Sequence, residues 1–148
     1  MKSHEFVAAV TTRLRDSLPP PWQDFTLRQR GNQAQLHYGQ PRLHYEVWVD
    51  PRYTHIEVGL HFEADAGTNL RLLEVFDRRL VEVRAESGQP VEAEHWTPTW
   101  ARVHRVIPCE RLDAHLADEA ARALAQLIVV AQPMLEEAMV VGGNHPRR

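Results

Sequence analysis

LHYEVWVDPRYTHIEVGLHFE, residues Leu43 to Glu63, reads as two alternating strands folded back on each other around Asp50-Pro51-Arg52-Tyr53. Leu43, Tyr45, Val47 and Val49 alternate with His44, Glu46, Trp48 and Asp50, the two-residue period of a half-buried strand. Ile56, Val58, Leu60 and Phe62 repeat the pattern against His55, Glu57, Gly59, His61 and Glu63. Pro51 suits the second position of a type I turn, and Asp50 before it can accept local backbone hydrogen bonds. Directly opposed residues of an antiparallel pair share a face, so the register must set apolar against apolar. A four-residue loop, Pro51 to Thr54, meets that condition and pairs His44 with His61, Glu46 with Gly59, Trp48 with Glu57 and Asp50 with His55. A tighter loop would oppose Glu46 to Glu57, and like charges placed so are destabilising.

Working outward, Phe6, Val10, Leu14 and Leu18 recur along one face of a first helix that Ser3 can cap and Pro19-Pro20-Pro21 ends. Phe25 and Leu27 alternate with Thr26, Arg28 and Arg30 as a first strand. Gly31-Asn32 signals a turn, and Ala34, Leu36 and Tyr38 alternate with Gln35 and His37 as a second. With the central pair these make a four-strand antiparallel meander.

After Glu63 the period changes to 3.6. Leu70, Leu73, Phe76, Leu80 and Val83 predict a second helix, capped by Thr68 or Asn69, with Glu74 and Arg78 set for an ion pair and Gly88 as its stop. Val91 to His95 reads as a short edge strand, Trp96-Thr97-Pro98-Thr99-Trp100 as an irregular connection, and Ala101 to Ile107 as a fifth main strand. From about Arg111, the positions Leu112, Leu116, Ala120, Ala123, Leu127 and Val130 define a third helix, which Pro133 is expected to interrupt with a kink.

The chain has 148 residues, enough for one domain to bury roughly two thirds of its unfolded surface. The expectation is a single α+β domain over residues 1–141, in the order α-β-β-β-β-α-(β)-β-α, with a twisted antiparallel sheet packed on helices. Residues 142–148 are expected to form a flexible tail. That order resembles the small α/β folds of bacterial secretion-chaperone-like proteins, departing from them in placing four strands before the middle helix.

The lone Cys109 excludes an internal disulfide and a Cys-rich zinc module, and the start of the chain has no basic region followed by an apolar run. Its longest apolar run, Leu127 to Ala131, is too short to span a bilayer, so a cytoplasmic protein with no membrane partner is expected. A formal charge of -3 and a pI near 6.3 argue against nucleic acid as the main partner. The seven glycines form neither a phosphate loop nor a dinucleotide fingerprint, and the metalloprotease helix and the nucleophile elbow are missing, so no cofactor is expected.

The chemistry-bearing residues gather on the polar face of the central hairpin: His44, Glu46, Trp48, Glu57, His61 and Glu63, joined by Arg102 and His104 from the fifth strand. Two imidazoles among carboxylates can hold a divalent metal, and His44, His61, Glu46 and Glu63 are the candidate ligands. A neutral His beside a Glu can also act as a general base. A tryptophan on such a face calls for cover, from a partner, from a ligand or from the third helix. Trp96, Trp100, Arg102 and His104 form an aromatic and cationic group that either anchors a loop or stacks on a ring. Cys109, placed just before a helix, reads as an inert thiol.

Three functions follow. The first is a non-enzymatic binding or adaptor protein, a homodimer or the partner of another protein, acting through this face or the third helix. The second is a small metal-dependent or His/Glu-based hydrolase-like enzyme. The third is a nucleic-acid-associated accessory domain using Arg28, Arg30, Arg102 and Arg105.

Overall fold

The computed structural model describes residues 1–143, with side chains through 141. Its elements are α1 (Ser3–Ser17), β1 (Thr26–Arg30), β2 (Gln33–His37), β3 (Leu43–Val49), β4 (His55–Phe62), α2 (Ala66–Arg78), α3 (Leu80–Ser87), β5 (Glu92–His95), β6 (Ala101–Pro108) and α4 (Ala114–Gly143). The six strands form one antiparallel sheet in the order β1-β2-β3-β4-β6-β5. The meander is therefore as the alternation implied, and β6 returns to lie beside β4 with β5 at the edge. The two-residue alternation of β3 and β4, the turn chemistry of Asp50-Pro51 and the helical period after Glu63 each point to the element that forms there.

The central hairpin carries the expected register, with His44 opposite His61, Glu46 opposite Gly59 and Trp48 opposite Glu57. Its four-residue loop works because Tyr53 takes a left-handed conformation at φ 57°, closing the turn with its N–H donating to the Asp50 carbonyl at 2.8 Å. The Asp50 carboxylate accepts from the N–H and hydroxyl of Thr54. Those hydrogen bonds hold the carboxyl below the usual aspartate range, against the opposing effect of burial.

All four helices lie on one side of the sheet. Gln29, on the apolar side of β1, donates to the His4 carbonyl of α1. Tyr45 of β3 donates its buried hydroxyl to Gln132 of α4. Phe62 of β4 packs on Phe76 of α2 with ring centroids 5.5 Å apart, and α3 rests on α4. The core between the layers is the apolar set of β2, β3, β4 and β6 with Phe6, Val10, Leu14, Leu72, Phe76, Leu124, Leu127 and Ile128. By length and composition α4 could cross a bilayer, but half of that stretch is buried within the fold.

Several expectations are corrected. The middle helix is two helices, broken at Arg79, whose ψ of 17° leaves the helical region. The break lets α2 lie on β4, β5 and β6 while α3 turns onto α4. The buried stripe of α2 is Asn69, Leu72 and Phe76, and Leu70 is 48% exposed. Asp65 caps α2 by accepting from Thr68 N–H, so neither Thr68 nor Asn69 is the cap. Among the described residues Glu74 and Arg78 form no ion pair, whereas Arg79 grips Glu82 through two bonds of 2.8 Å. At the first helix Ser3 lies inside α1, and the Glu5 side chain caps it by accepting from Lys2 N–H at 3.0 Å. Leu27 is 39% exposed on an edge strand exposed throughout, because α1 reaches only the inner part of that edge.

Helix α4 runs through Pro133 without interruption. Proline deprives only the Val129 carbonyl of its partner, and both Val129 and Pro133 are exposed, so water can satisfy that oxygen. The helix also continues through Gly142 and Gly143, beyond the boundary expected at 141; the rest of the proposed tail lies outside the described residues.

Candidate functional site

The side of the sheet away from the helices is built in rows across the strands. One row runs Gln35, Glu46, Gly59, His104, Glu92. Its neighbour runs His44, His61, Arg102, Glu94, and the row on the other side is Gln33, Trp48, Glu57, Val106. His44, Glu46, Trp48, Glu57, His61, Arg102 and His104 therefore fall on one surface. The helices leave Trp48 uncovered, which sets aside the idea that the chain's own last helix hides it; its ring lies instead against His55, centroids 5.7 Å apart.

A cleft of about 460 Å³ opens here, lined by Gln33, Gln35, Glu46, Trp48, Glu57 and His61 together with Glu63, Trp96, Trp100 and Arg102. The loop Trp96 to Trp100 forms its rim. It is a five-residue hairpin connection between His95 and Ala101, closed by Trp96 N–H donating to the Trp100 carbonyl and by Thr97 Oγ1 accepting from Trp100 N–H. The two indoles stand 5.5 Å apart, and Trp96 meets the edge of His61 at 5.6 Å. Buried Asn69 ties the loop down. Its side-chain amide donates to the Thr99 and Ala64 carbonyls and accepts from Ala64 N–H.

Two ionic groups share the floor. In one, Arg102 bonds Glu57 at 3.1 Å and Glu94 at 3.3 Å, and His104 stands 3.2 Å from Glu57 and 2.8 Å from Glu94. His104 beside it holds the Glu57 carboxyl below its ordinary range against the pull of burial, with Arg102 adding to the effect. Burial pushes Glu94 upward, but His104 and Arg102 outweigh it and its pKa is also lowered. Gly59 makes room for this group, since a Cβ there would lie 2.7 Å from His104 Cβ.

The other group is His44, Glu46, His61 and Glu63. The two imidazoles stack, 14° from parallel and 5.6 Å between centroids. His44 Nε2 lies 3.5 Å from Glu46 and 3.6 Å from Glu63, while His61 reaches Glu46 through Nε2 at 3.9 Å and is hydrogen-bonded to Glu63 through Nδ1 at 3.2 Å. His44 Nδ1 is bonded to the Pro41 carbonyl at 2.9 Å, and Glu46 accepts from Gln35 at 2.9 Å. Burial disfavours charge on His44, yet the Glu46 and Glu63 carboxylates prevail and raise its pKa. Burial likewise lifts Glu46, and His44, His61 and Gln35 together bring it below the usual glutamate range.

Protein-family models, curated proteins and solved structures offer no match to this chain, so the element-order resemblance gains no support and the site stands on its own geometry.

Arg105 points to the helix side, where it meets Glu119 and Gln89, so it shares no surface with Arg102. Cys109 lies five residues before α4 and not at its first turn; burial, then Asp50 and Asp113, push its thiol upward, away from thiolate character. Sequence reasoning missed Gln33, Gln35 and Glu94 as site residues. The glutamines alternate with buried Ala34 and Leu36 and so were legible as neighbours of Glu46 and Trp48. Glu94 required the register of the β5–β6 hairpin, which the irregular Trp96 to Trp100 loop conceals.

Proposed function

We propose that this is a binding protein and not an enzyme, and that its ligand is a small cation received in the cleft on the open sheet face. The observation that carries the reading is charge: the carboxylates of Glu46, Glu57, Glu63 and Glu94 face one guanidinium, Arg102, in a half-buried site. Arg102 is already engaged by two of them, which leaves Glu46 and Glu63 among neutral or weakly basic neighbours. Trp48, Trp96 and Trp100 form the upper walls, and indole faces attract cations through their quadrupole. Low-dielectric walls strengthen both effects and focus the field of the carboxylates.

Tryptophan emission reports directly on this cleft. Titrations with Zn²⁺ and with phenyltrimethylammonium, each beside inorganic phosphate, are expected to give a saturable change with at least one cation and none with phosphate. A Trp48→Phe, Trp96→Phe variant identifies the signal. Saturation by phosphate with no response to either cation would reverse the sign of the proposal and remove it.

A further inference from the structure

His44, Glu46, His61 and Glu63 each present a donor atom, all within 4.8 Å of one another. We propose that these four side chains hold one divalent transition-metal ion at the floor of the cleft. The inference rests on the cation reading given above and names the cation.

The spacing of the donors is the first argument. Nitrogen and oxygen ligands about 2.0–2.2 Å from a tetrahedral ion must be roughly 3.3–3.6 Å from one another. His44 Nε2 stands 3.5 Å from its Glu46 neighbour and 3.6 Å from its Glu63 neighbour. A charged N–H bonded to a carboxylate would close to roughly 2.7–2.9 Å. The two contacts thus have the length of edges of a coordination shell and are longer than a charge-assisted hydrogen bond.

The second argument is an orphaned atom. His44 is 3% exposed, and its Nε2 is buried without a hydrogen-bond partner. Buried polar atoms are normally satisfied, and leaving one unpaired is costly. The Pro41 carbonyl takes the Nδ1 proton, which places the lone pair of the neutral ring on Nε2, aimed between the two carboxylates. Fixing a histidine tautomer through its other nitrogen is how outer-shell groups orient a metal ligand. Gln35 does the same for Glu46.

The donor chemistry selects the ion. Two imidazoles suit Zn²⁺, Co²⁺, Ni²⁺ or Cu²⁺, whereas Mg²⁺ and Ca²⁺ prefer all-oxygen shells. Four protein donors complete a tetrahedral shell and leave no position for a reacting water, so the ion is held and not used for hydrolysis.

The test uses the full chain, stripped with a chelator. Co²⁺ is followed by its visible d–d bands, Zn²⁺ by calorimetry, and phenyltrimethylammonium is titrated in the same preparation. Expected are tetrahedral Co²⁺ bands saturating at a single equivalent, and no competition from Mg²⁺. Gln35→Ala should weaken Zn²⁺ roughly 10-fold and His44→Ala or Glu63→Gln by more than the roughly 10–100-fold of an outer-shell change. Circular dichroism checks folding, and Glu63→Gln, isosteric and partly exposed, carries the test if His44→Ala does not fold. Ammonium binding without Co²⁺ bands overturns the metal inference and leaves the cation cleft standing; silence from both overturns both. Metal binding that neither His44→Ala nor Glu63→Gln weakens places the ion elsewhere and also overturns it.

Discussion

Replacing Gly59 by alanine should destabilise the protein even though the backbone at that position accepts any residue. Its φ lies outside the left-handed region, and a glycine-to-alanine change at a compatible site normally stabilises by about 0.4–1 kcal/mol through the unfolded chain. Here the new methyl would lie 2.7 Å from His104 Cβ, 2.7 Å from the Val103 oxygen and 2.9 Å from His104 Cα. Two of those three atoms are backbone of β6, whose His104 is paired with Gly59 itself. Restoring a separation of about 3.5 Å needs a shift of roughly 0.8 Å between adjacent strands. Overpacking of this kind costs about 1–3 kcal/mol, which exceeds the entropic gain and leaves a net loss of about 1–2 kcal/mol. With a urea slope of about 2 kcal/mol/M the midpoint should fall by roughly 0.5–1 M. Gly67→Ala makes the same chemical change inside α2, where the nearest atom to the new Cβ is 3.5 Å away, and should raise the midpoint. A Gly59→Ala protein as stable as the parent, at unchanged slope, would refute the account of how β4 and β6 meet.

Tyr45→Phe removes the donor to buried Gln132 and should cost about 1–3 kcal/mol by urea denaturation, with little change in the cleft. Asn69→Ala removes the hydrogen bond that ties the Trp96 to Trp100 loop to α2 and two more to the Ala64 backbone; stability should fall by about 2–4 kcal/mol, with tryptophan emission shifting to the red. Glu57 has a folded pKa below its unfolded one, so its contribution is present above the unfolded value near 4.5 and lost as pH falls through the lower folded one. The stability gap between the parent and Glu57→Gln should therefore be full near neutrality and shrink in acid, and a gap unchanged between pH 6 and pH 3 would contradict it.

The hairpin register was legible because a one-residue slip would turn Ile56, Val58, Leu60 and Phe62 away from the face that Tyr45 and Val47 occupy, and the tighter loop would oppose Glu46 to Glu57. That constraint also delivered the His44–His61 and Trp48–Glu57 pairs, and with them most of the cleft. The helix that became α2 and α3 was not legible in the same way. Leu70, Leu72, Leu73, Val75 and Phe76 offer two overlapping stripes, and only the sheet selects Leu72 and Phe76. The cap failed for a related reason: Asp65, Thr68 and Asn69 are all good capping types, and the tertiary bond from Asn69 to Thr99 decides which of them is free to cap. His44 Nε2 as an orphaned atom could not be read at all, because it depends on distances to Glu46 on its own strand and to Glu63 just beyond β4.

With every helix on one side of the sheet, alternate positions along β3, β4 and β6 answer to different neighbours. Leu43, Tyr45 and Val47 face the helices, while His44, Glu46 and Trp48 lie on the open face, where Glu46 and Trp48 line the cleft. The open face can thus be rewritten at every second codon without repacking the interior, and two descendants of this scaffold could carry different cleft linings on the same backbone. Gly59 is the exception: it faces the cleft, yet any larger residue there pushes two strands apart, so it constrains both surfaces at once.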